Sequence, residues 1–301
     1  MNAIRGSSLF PYLVLGVGIL SLGFSGIFVS WAGAPGAVAS FYRMAVASLA
    51  MALPFARRRR SKSVKLTRRS ALIAVLGGAV FSCDLFLFNT GVLMSGAVNP
   101  TLMSNTAPLW VGLGALIFFR ETLNRRFWLG LAIAITGAVI VLGDDALQDF
   151  TVGLGTLLGL LAGIFYGGYY LVTQYGRRKL DSLSYSWLAA LSSTTVLLFF
   201  SFILSQPLAG YPTRTYVSLI GLGLVVQVLG QLSFSYALGY LPASFVAPAG
   251  LGQPVMTALL AVPLLGEGLS LLQIVGGSAV LVGVYLVHRS RMYTSASKAG
   301  E

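Results

Sequence analysis

The stretch APLWVGLGALIFFRETL at residues 107–123 has a counterpart in QPVMTALLAVPLLGEGL at residues 253–269, 146 positions further along. Without a gap, Pro108 falls on Pro254, Leu113 on Leu259, Ala115 on Ala261, Glu121 on Glu267 and Leu123 on Leu269. The register continues in both directions, with Ala97 on Ala243 upstream and Gly130 on Gly276 and Gly137 on Gly283 downstream. Apolar residues coincide easily by chance. A proline, a glutamate and two glycines in one register do not. A shift of 143 extends the match towards the amino terminus, setting Gly16 on Gly159, Val29 on Val172, Gly33 on Gly176 and Tyr42 on Tyr185. The chain therefore reads as one unit used twice, divided as residues 1–146 and 147–301.

Composition says what kind of unit it is. Of 301 residues, 56% are hydrophobic and 9% charged, whereas a soluble domain carries roughly a quarter charged. Uncharged runs exceed the roughly 20 residues that a helix needs to cross the hydrocarbon core. Apolar segments are predicted at 9–30, 35–55, 70–92, 97–119, 124–142, 153–175, 184–204, 214–238, 242–264 and 268–288, five to each unit. Several separators are tight, such as Gly33-Ala34-Pro35-Gly36 and Ser95-Gly96-Ala97-Val98-Asn99-Pro100, which use the residues that punctuate helices. Only Arg5 precedes the first run, which is too long for a signal-peptide core and shows no cleavage signal. The first helix is expected to stay in the mature protein.

A net charge of +12 and a pI near 10.1 would suggest nucleic acid in a soluble protein. Here the basic residues lie in short runs between apolar segments, the pattern of cytoplasmic loops. With ten spans, alternate loops collect Arg5, the eight basic residues from Arg57 to Arg69, Arg120, Arg125, Arg126, Arg177, Arg178, Lys179, Arg289, Arg291 and Lys298. The other side holds only Arg214, together with Asp144, Asp145 and Asp149, and Arg43 lies inside the second segment. Both termini are thus expected in the cytoplasm, in a multi-pass protein of a bacterial-type inner membrane without nucleic-acid partners. Five helices is an odd number, so the second unit enters the membrane upside down. Such inverted repeats are a recurring transporter device, because exchanging the conformations of two halves turns an inward-facing state into an outward-facing one. A gated or facilitating pore is the other use of this architecture.

The run from Ala107-Pro108-Leu109-Trp110 to Glu121, then Gly130 and Gly137, repeated around Pro254, Glu267, Gly276 and Gly283, resembles the doubled EamA module. That is the ten-helix branch of the drug/metabolite transporter superfamily. Phe41-Tyr42-Arg43 resembles the arginine-bearing second helix of that module, although the second unit has Ser186 at the matching position. The likeness covers about residues 9 to 288. Within the superfamily the chain is most similar to YddG-type exporters of aromatic amino acids. The resemblance implies an all-α integral membrane fold and export of small metabolites, amino acids foremost, with nucleotide-sugar and drug carriers as relatives in the same superfamily. It implies no cofactor and no metal, and a chain that works as a monomer.

Candidate site residues come from polar and aromatic side chains inside the spans, where polar groups facing lipid are costly. Phe81, Asp84 and Phe88 share one face of the third helix, and Gln227, Gln231 and Phe234 share one face of the eighth. The 146 shift overlays Phe81 on Gln227 and Phe88 on Phe234, as expected for two walls of one cavity. Polar side chains that merely hydrogen-bond neighbouring helices would give the same stripe. Tyr166, Tyr169 and Tyr170 of the sixth helix and Trp110 of the fourth are further candidate walls, and Asn105 and Gln253 lie where Pro100, Pro108, Pro248 and Pro254 can interrupt the fourth and ninth helices. Pro108, Pro254, Glu121 and Glu267 are read as structural or gating positions. From the basic runs beside them, Arg43 and Asp84 lie about 21 and 22 Å along their helices. The two are expected to form an ion pair, as a brace or as a gate.

An enzyme is not expected. The single histidine, His288, and the single cysteine, Cys83, cannot build a metal site or a disulfide framework, and no P-loop motif is present. The aspartates at 144, 145 and 149 superficially resemble a magnesium–diphosphate site but have no basic partners, so a membrane transferase is a distant alternative. Flipping of a lipid head group is a closer one.

Overall fold

The computed structural model describes residues 9–60, 66–96, 98–142, 153–266 and 268–297. Among them there are helices and no strand. In chain order the spans are α1 (Phe10–Ala32), α2 (Gly36–Arg60), α3 (Arg68–Ser95), α4 in two pieces (Val98–Ser104 and Ala107–Phe118) and α5 (Arg125–Val141). The second half follows with α6 (Leu154–Arg177), α7 (Ser182–Ile203), α8 (Thr213–Gly221, continued through Leu222–Gln231 and Leu232–Ala237), α9 in two pieces (Ala243–Gly250 and Gly252–Leu265) and α10 (Leu271–Ser297). Nine of these, among the described residues, are long and apolar enough to cross a membrane. The tenth, α5, has 17 residues and so spans about 26 Å at 1.5 Å per residue. Large apolar side chains such as Leu49, Leu72, Phe118, Phe199, Phe202 and Leu271 stand exposed around the outside. In water such a surface would aggregate; in lipid it is solvated.

Local chemistry sets the helix ends. Thr67 and Ser70 form a capping box at the start of α3, and Asn124 and Asp181 accept from the N–H groups of Phe127 (3.0 Å) and Ser184 (3.2 Å) to start α5 and α7. Four arginines, Arg57 to Arg60, close α2 at the negative end of its dipole. The duplication is visible in the backbone. Arg120 and Gly266, equivalent under the 146 shift, both take the left-handed conformation, at φ 52° and 72°, and each turns the chain just after α4 or α9.

The halves interlock instead of standing side by side. Contacts between α3 and α6 are mirrored by those between α8 and α1, α4 with α6 by α9 with α1, and α3 with α7 by α8 with α2. Two helices pair with their own equivalents, α2 with α7 and α5 with α10. The α5–α10 crossing uses the four glycines of the repeat. A Cβ on Gly137 would lie 2.6 Å from the Gly276 carbonyl oxygen, and one on Gly283 2.6 Å from that of Gly130. Small residues allow backbones in a membrane to approach this closely. Along α6, glycines at 155, 159, 163 and 167 form a second close face, against Ser95, Pro100, Met103 and Trp110.

One expectation fails here. α2 and α3 are consecutive but touch little, because α2 packs on α7 and α8 and α3 on α6 and α7. The hairpin argument for an Arg43–Asp84 contact assumed neighbours that the interlocking of the halves pulls apart. Glu267 and the aspartates at 144, 145 and 149 lie outside the described residues, as does part of the basic run, residues 61–65.

Candidate functional site

Arg43, in the middle of α2, donates through Nε to Gln227 Oε1 of α8 at 2.8 Å. Its guanidinium carbon stands 5.9 Å from the centre of the Phe81 ring of α3, within range of a cation–π contact. The Phe81 ring stacks in turn on Tyr169 (4.5 Å between centroids, 21°) and Tyr166 (6.0 Å, 28°) of α6. The Tyr170 hydroxyl donates to that of Tyr166 at 3.2 Å, and its ring meets Phe234 of α8 edge-on at 6.2 Å. Four helices, two from each half, thus converge on one cluster of polar and aromatic groups. Tyr169 lies beside Gln231, so both expected glutamines reach it.

Asp84 sits one helical turn beyond Phe81 and is 5% exposed. It interacts electrostatically with Arg43, Tyr166 and Tyr170, yet no side chain among the described residues hydrogen-bonds its carboxylate and no ion pair joins it to Arg43. The expected contact pair is therefore corrected to two opposite charges in one cluster, held apart. The physical reason is competition: Gln227 reaches Arg43 from the other half and takes its Nε. Arg43 is partly buried, with some of its surface accessible.

The α8 backbone at this point is unusual. Leu222–Gln231 is π-helical, with hydrogen bonds from i to i+5, a rare geometry that tends to mark functional sites. Gln227 and Gln231 both lie in this run. Gln231 is 3% exposed and its Oε1 has no hydrogen-bond partner, a costly state for a buried acceptor.

The remaining candidates are placed less centrally. α4 breaks at Asn105 and Thr106, and α9 at Leu251, positions equivalent under the 146 shift, so the interruptions expected around Pro108 and Pro254 are paired. Asn105 Nδ2 is buried without a partner at the α4 break. The Trp110 Nε1–H donates to Thr106 Oγ1 at 3.1 Å, which fastens Trp110 to the same break. Gln253 is partly buried at the start of the second piece of α9. Phe88 is half-buried two turns from Phe81 and makes no ring contact with the cluster.

At the arginine-rich end of the bundle, Glu121 accepts a hydrogen bond from the Ser244 hydroxyl, joining the α4–α5 turn to the start of α9. Gln174 Oε1 accepts from the Ala243 N–H at 2.5 Å, a cap that Pro242 cannot supply from its own side chain. Arg177 donates to the carbonyls of Ser235 (2.7 Å) and Leu180. Sequence reasoning singled out Glu121 but missed Gln174, Ser244 and Arg177. Apart from the Arg177 bond to Leu180, their partners lie more than 50 residues away, beyond the reach of any local pattern, though a glutamine one turn from the end of a span was a usable signal. A groove of about 580 Å³ on the same end, lined by Phe55, Arg59, Arg60 and Trp187, lies between α2 and α7, away from the aromatic cluster.

Comparison with known proteins agrees on the duplication. The EamA-like transporter family matches twice, at residues 9–143 and 153–289. A probable terminal-alkyne amino-acid exporter of Streptantibioticus cattleyicolor is 28% identical over 96% of this chain and 91% of its own length. A probable amino-acid metabolite efflux pump of Salmonella typhimurium is 28% identical over 58% of this chain and 62% of its own. A solved crystal structure superposes with a TM-score of 0.76 over 92% of this chain and 97% of that one at 14% identity, a likeness of fold.

Proposed function

The chain belongs to the EamA-like transporter family, and from that membership we propose that it exports small amphipathic metabolites, amino acids foremost, by alternating access between its two halves. The observation that carries the reading is the cluster around Arg43. Three of its links, from Arg43 to Gln227 and from Phe81 to Tyr166 and Tyr169, join a residue of one half to a residue of the other. A site assembled in this way opens or closes when the halves move, which is the geometry alternating access requires. Relatives named as amino-acid exporters support the substrate class. The aromatic walls favour side chains with an apolar body, including aromatic ones.

In this reading Phe81, Asp84, Tyr166, Tyr169, Gln227 and Gln231 line the pathway, with Phe88, Asn105, Trp110 and Gln253 along its approaches. Pro108 and Pro254 keep the α4 and α9 breaks. Glu121, with Ser244, and Glu267 at the equivalent position serve as closures at the two ends. Basic-residue asymmetry supports a reading with the arginine-rich end and both termini on the cytoplasmic side of a bacterial-type inner membrane, in which the chain acts as a monomer. Few ionisable side chains lie within the spans, so we expect uniport or weak coupling to protons. Uptake of a panel of labelled amino acids into liposomes containing only this protein, with and without a proton gradient, tests the reading. Time-dependent, saturable uptake of one or more of them is expected. Flux equal to that of empty liposomes for the whole panel would overturn it.

A further inference from the structure

Resting on the transport reading above, the geometry points to a clamp for a zwitterion: the open guanidinium edge of Arg43 takes a carboxylate, the Asp84 carboxylate takes an ammonium group, and the ligand's apolar part lies against Phe81 and Tyr166.

An ion buried alone costs several kcal/mol, and the cheapest arrangement of two opposite ones is direct contact. The protein does not adopt it. Gln227, reaching across from the other half, occupies Nε of Arg43 at 2.8 Å and leaves the two Nη atoms, the edge that binds a carboxylate in a fork, without a hydrogen-bond partner among the described residues. Asp84, 5% exposed, likewise has no hydrogen-bond partner there. The Arg43 guanidinium carbon stands 5.9 Å from the Phe81 ring centre and Asp84 lies one helical turn along α3 from Phe81, so the two charges flank one ring and a small molecule lying along it can reach both.

Charge balance selects that molecule. Arg43 and Asp84 together are neutral, and a free amino acid is neutral with its charges at opposite ends. A monoanion would satisfy Arg43 and repel Asp84; an amine would do the reverse. Only a ligand with both groups satisfies both poles without leaving a net charge inside the membrane. Gln231 Oε1, buried and without a partner, is a further acceptor beside Tyr169 for an N–H of the ligand. The ring faces of Phe81 and Tyr166 suit an apolar side chain and attract the ammonium group by its charge.

The test is competition against counterflow of labelled L-phenylalanine in liposomes holding the purified full-length protein. The competitors are unlabelled phenylalanine, phenylpropionate, which lacks the amine, and phenethylamine, which lacks the carboxylate. Wild type should prefer phenylalanine to either analogue by about tenfold or more, because each analogue leaves one buried charge unpaired. Asp84→Asn, nearly the same shape, should abolish the preference over phenylpropionate and keep that over phenethylamine; Arg43→Gln should do the opposite. If Arg43→Gln does not fold, Arg43→Lys takes its place, with a weakened preference over phenethylamine expected. Equal competition by all three compounds in wild type, or unchanged ratios in folded variants, overturns the clamp and leaves the transport reading standing. Transport of other amino acids but not of any zwitterion with an apolar side chain also overturns it. Absence of flux for every amino acid tried overturns the transport reading and the clamp together.

Discussion

Gly137→Ala adds a single methyl group at the α5–α10 crossing, where there is no room for it. The new Cβ would stand 2.6 Å from the Gly276 carbonyl oxygen, 2.6 Å from the Val280 nitrogen and 2.9 Å from the Ala279 Cβ. Two of these are backbone atoms of a packed helix, so no rotamer change relieves the clash. Restoring ordinary contact means separating the helices by about 0.8 Å, and overpacking of this kind costs about 1–3 kcal/mol. Gly276→Ala meets the Gly137 oxygen at 2.7 Å and the Val141 nitrogen at 2.8 Å, from the opposite side of the same contact. Once one methyl group has parted the helices the second finds space, so the double variant should lose less than the sum, with coupling of about 0.5–3 kcal/mol. Gly16→Ala is the control: nothing lies within 4 Å of its Cβ position, and alanine favours helix by up to about 1 kcal/mol. Thermal unfolding in detergent, followed by the loss of a monodisperse gel-filtration peak, measures all four variants. If Gly137→Ala proves as stable as wild type and Gly16→Ala, or if the two crossing variants add in full, the close glycine contact is refuted.

Three further outcomes are expected. The paired change Gln227→Leu with Gln231→Leu should lower transport into liposomes well below wild type while leaving the yield of folded protein nearly unchanged; equal loss of both would make these glutamines packing residues only. Arg120→Gly relieves a non-glycine left-handed residue at φ 52°, which costs about 1–2 kcal/mol, and should raise the midpoint of thermal unfolding, whereas Gly266→Ala at the equivalent turn should lower it. In a Cys83→Ser background, a cysteine replacing Lys62 should react with a membrane-impermeant thiol reagent only after permeabilisation, and labelling of intact cells there would overturn the proposed orientation.

Much of the architecture was legible because membrane crossing leaves a coarse signal. The predicted segments at 9–30, 70–92 and 153–175 fall within or across α1, α3 and α6, since length and apolarity alone define a span. The duplication was legible too, as Gly130, Gly137, Gly276 and Gly283 sit in register and then meet one another in space. What the sequence did not reveal is which helices touch. Helices α2 and α3 follow each other through the basic run yet part to pack on the other half, so Arg43 found Gln227, 184 positions away, in place of Asp84. Periodicity gave the face carrying Gln227 and Gln231 but not the π-helical run that holds them, because side-chain pattern does not report backbone hydrogen-bond register. Gln174 was missed for a similar reason: its partner is a backbone N–H left open by Pro242, a demand that arises only in the folded chain.

The placement of the cluster also constrains how ligand and conformation can be linked. Arg43 and Phe81 belong to the first half; Gln227, Tyr166 and Tyr169 belong to the second. A ligand that takes the free edge of Arg43 competes with nothing on α2 or α3, but it changes what the bond to Gln227 is worth to the interface between the halves. A ligand shifts an equilibrium only by its difference in affinity for the two states, so the contacts that cross between the halves, Arg43 to Gln227 and Phe81 to Tyr166 and Tyr169, are where the proposed cycle would build such a difference most easily. The π-helical run adds a mechanical reason. Its register is costlier than a regular α-helix, and Gln227 lies in it with its amide on Arg43, so releasing that bond removes one of the interactions that hold the run in place. In the proposed cycle, cargo binding at Arg43 and a return of α8 towards regular helix would then be two aspects of one step. The α5–α10 crossing, closed backbone to backbone at Gly137 and Gly276, has no comparable slack. Motion between the halves is therefore expected at α3, α6 and α8 around the cluster, with the glycine crossing as the part that stays fixed.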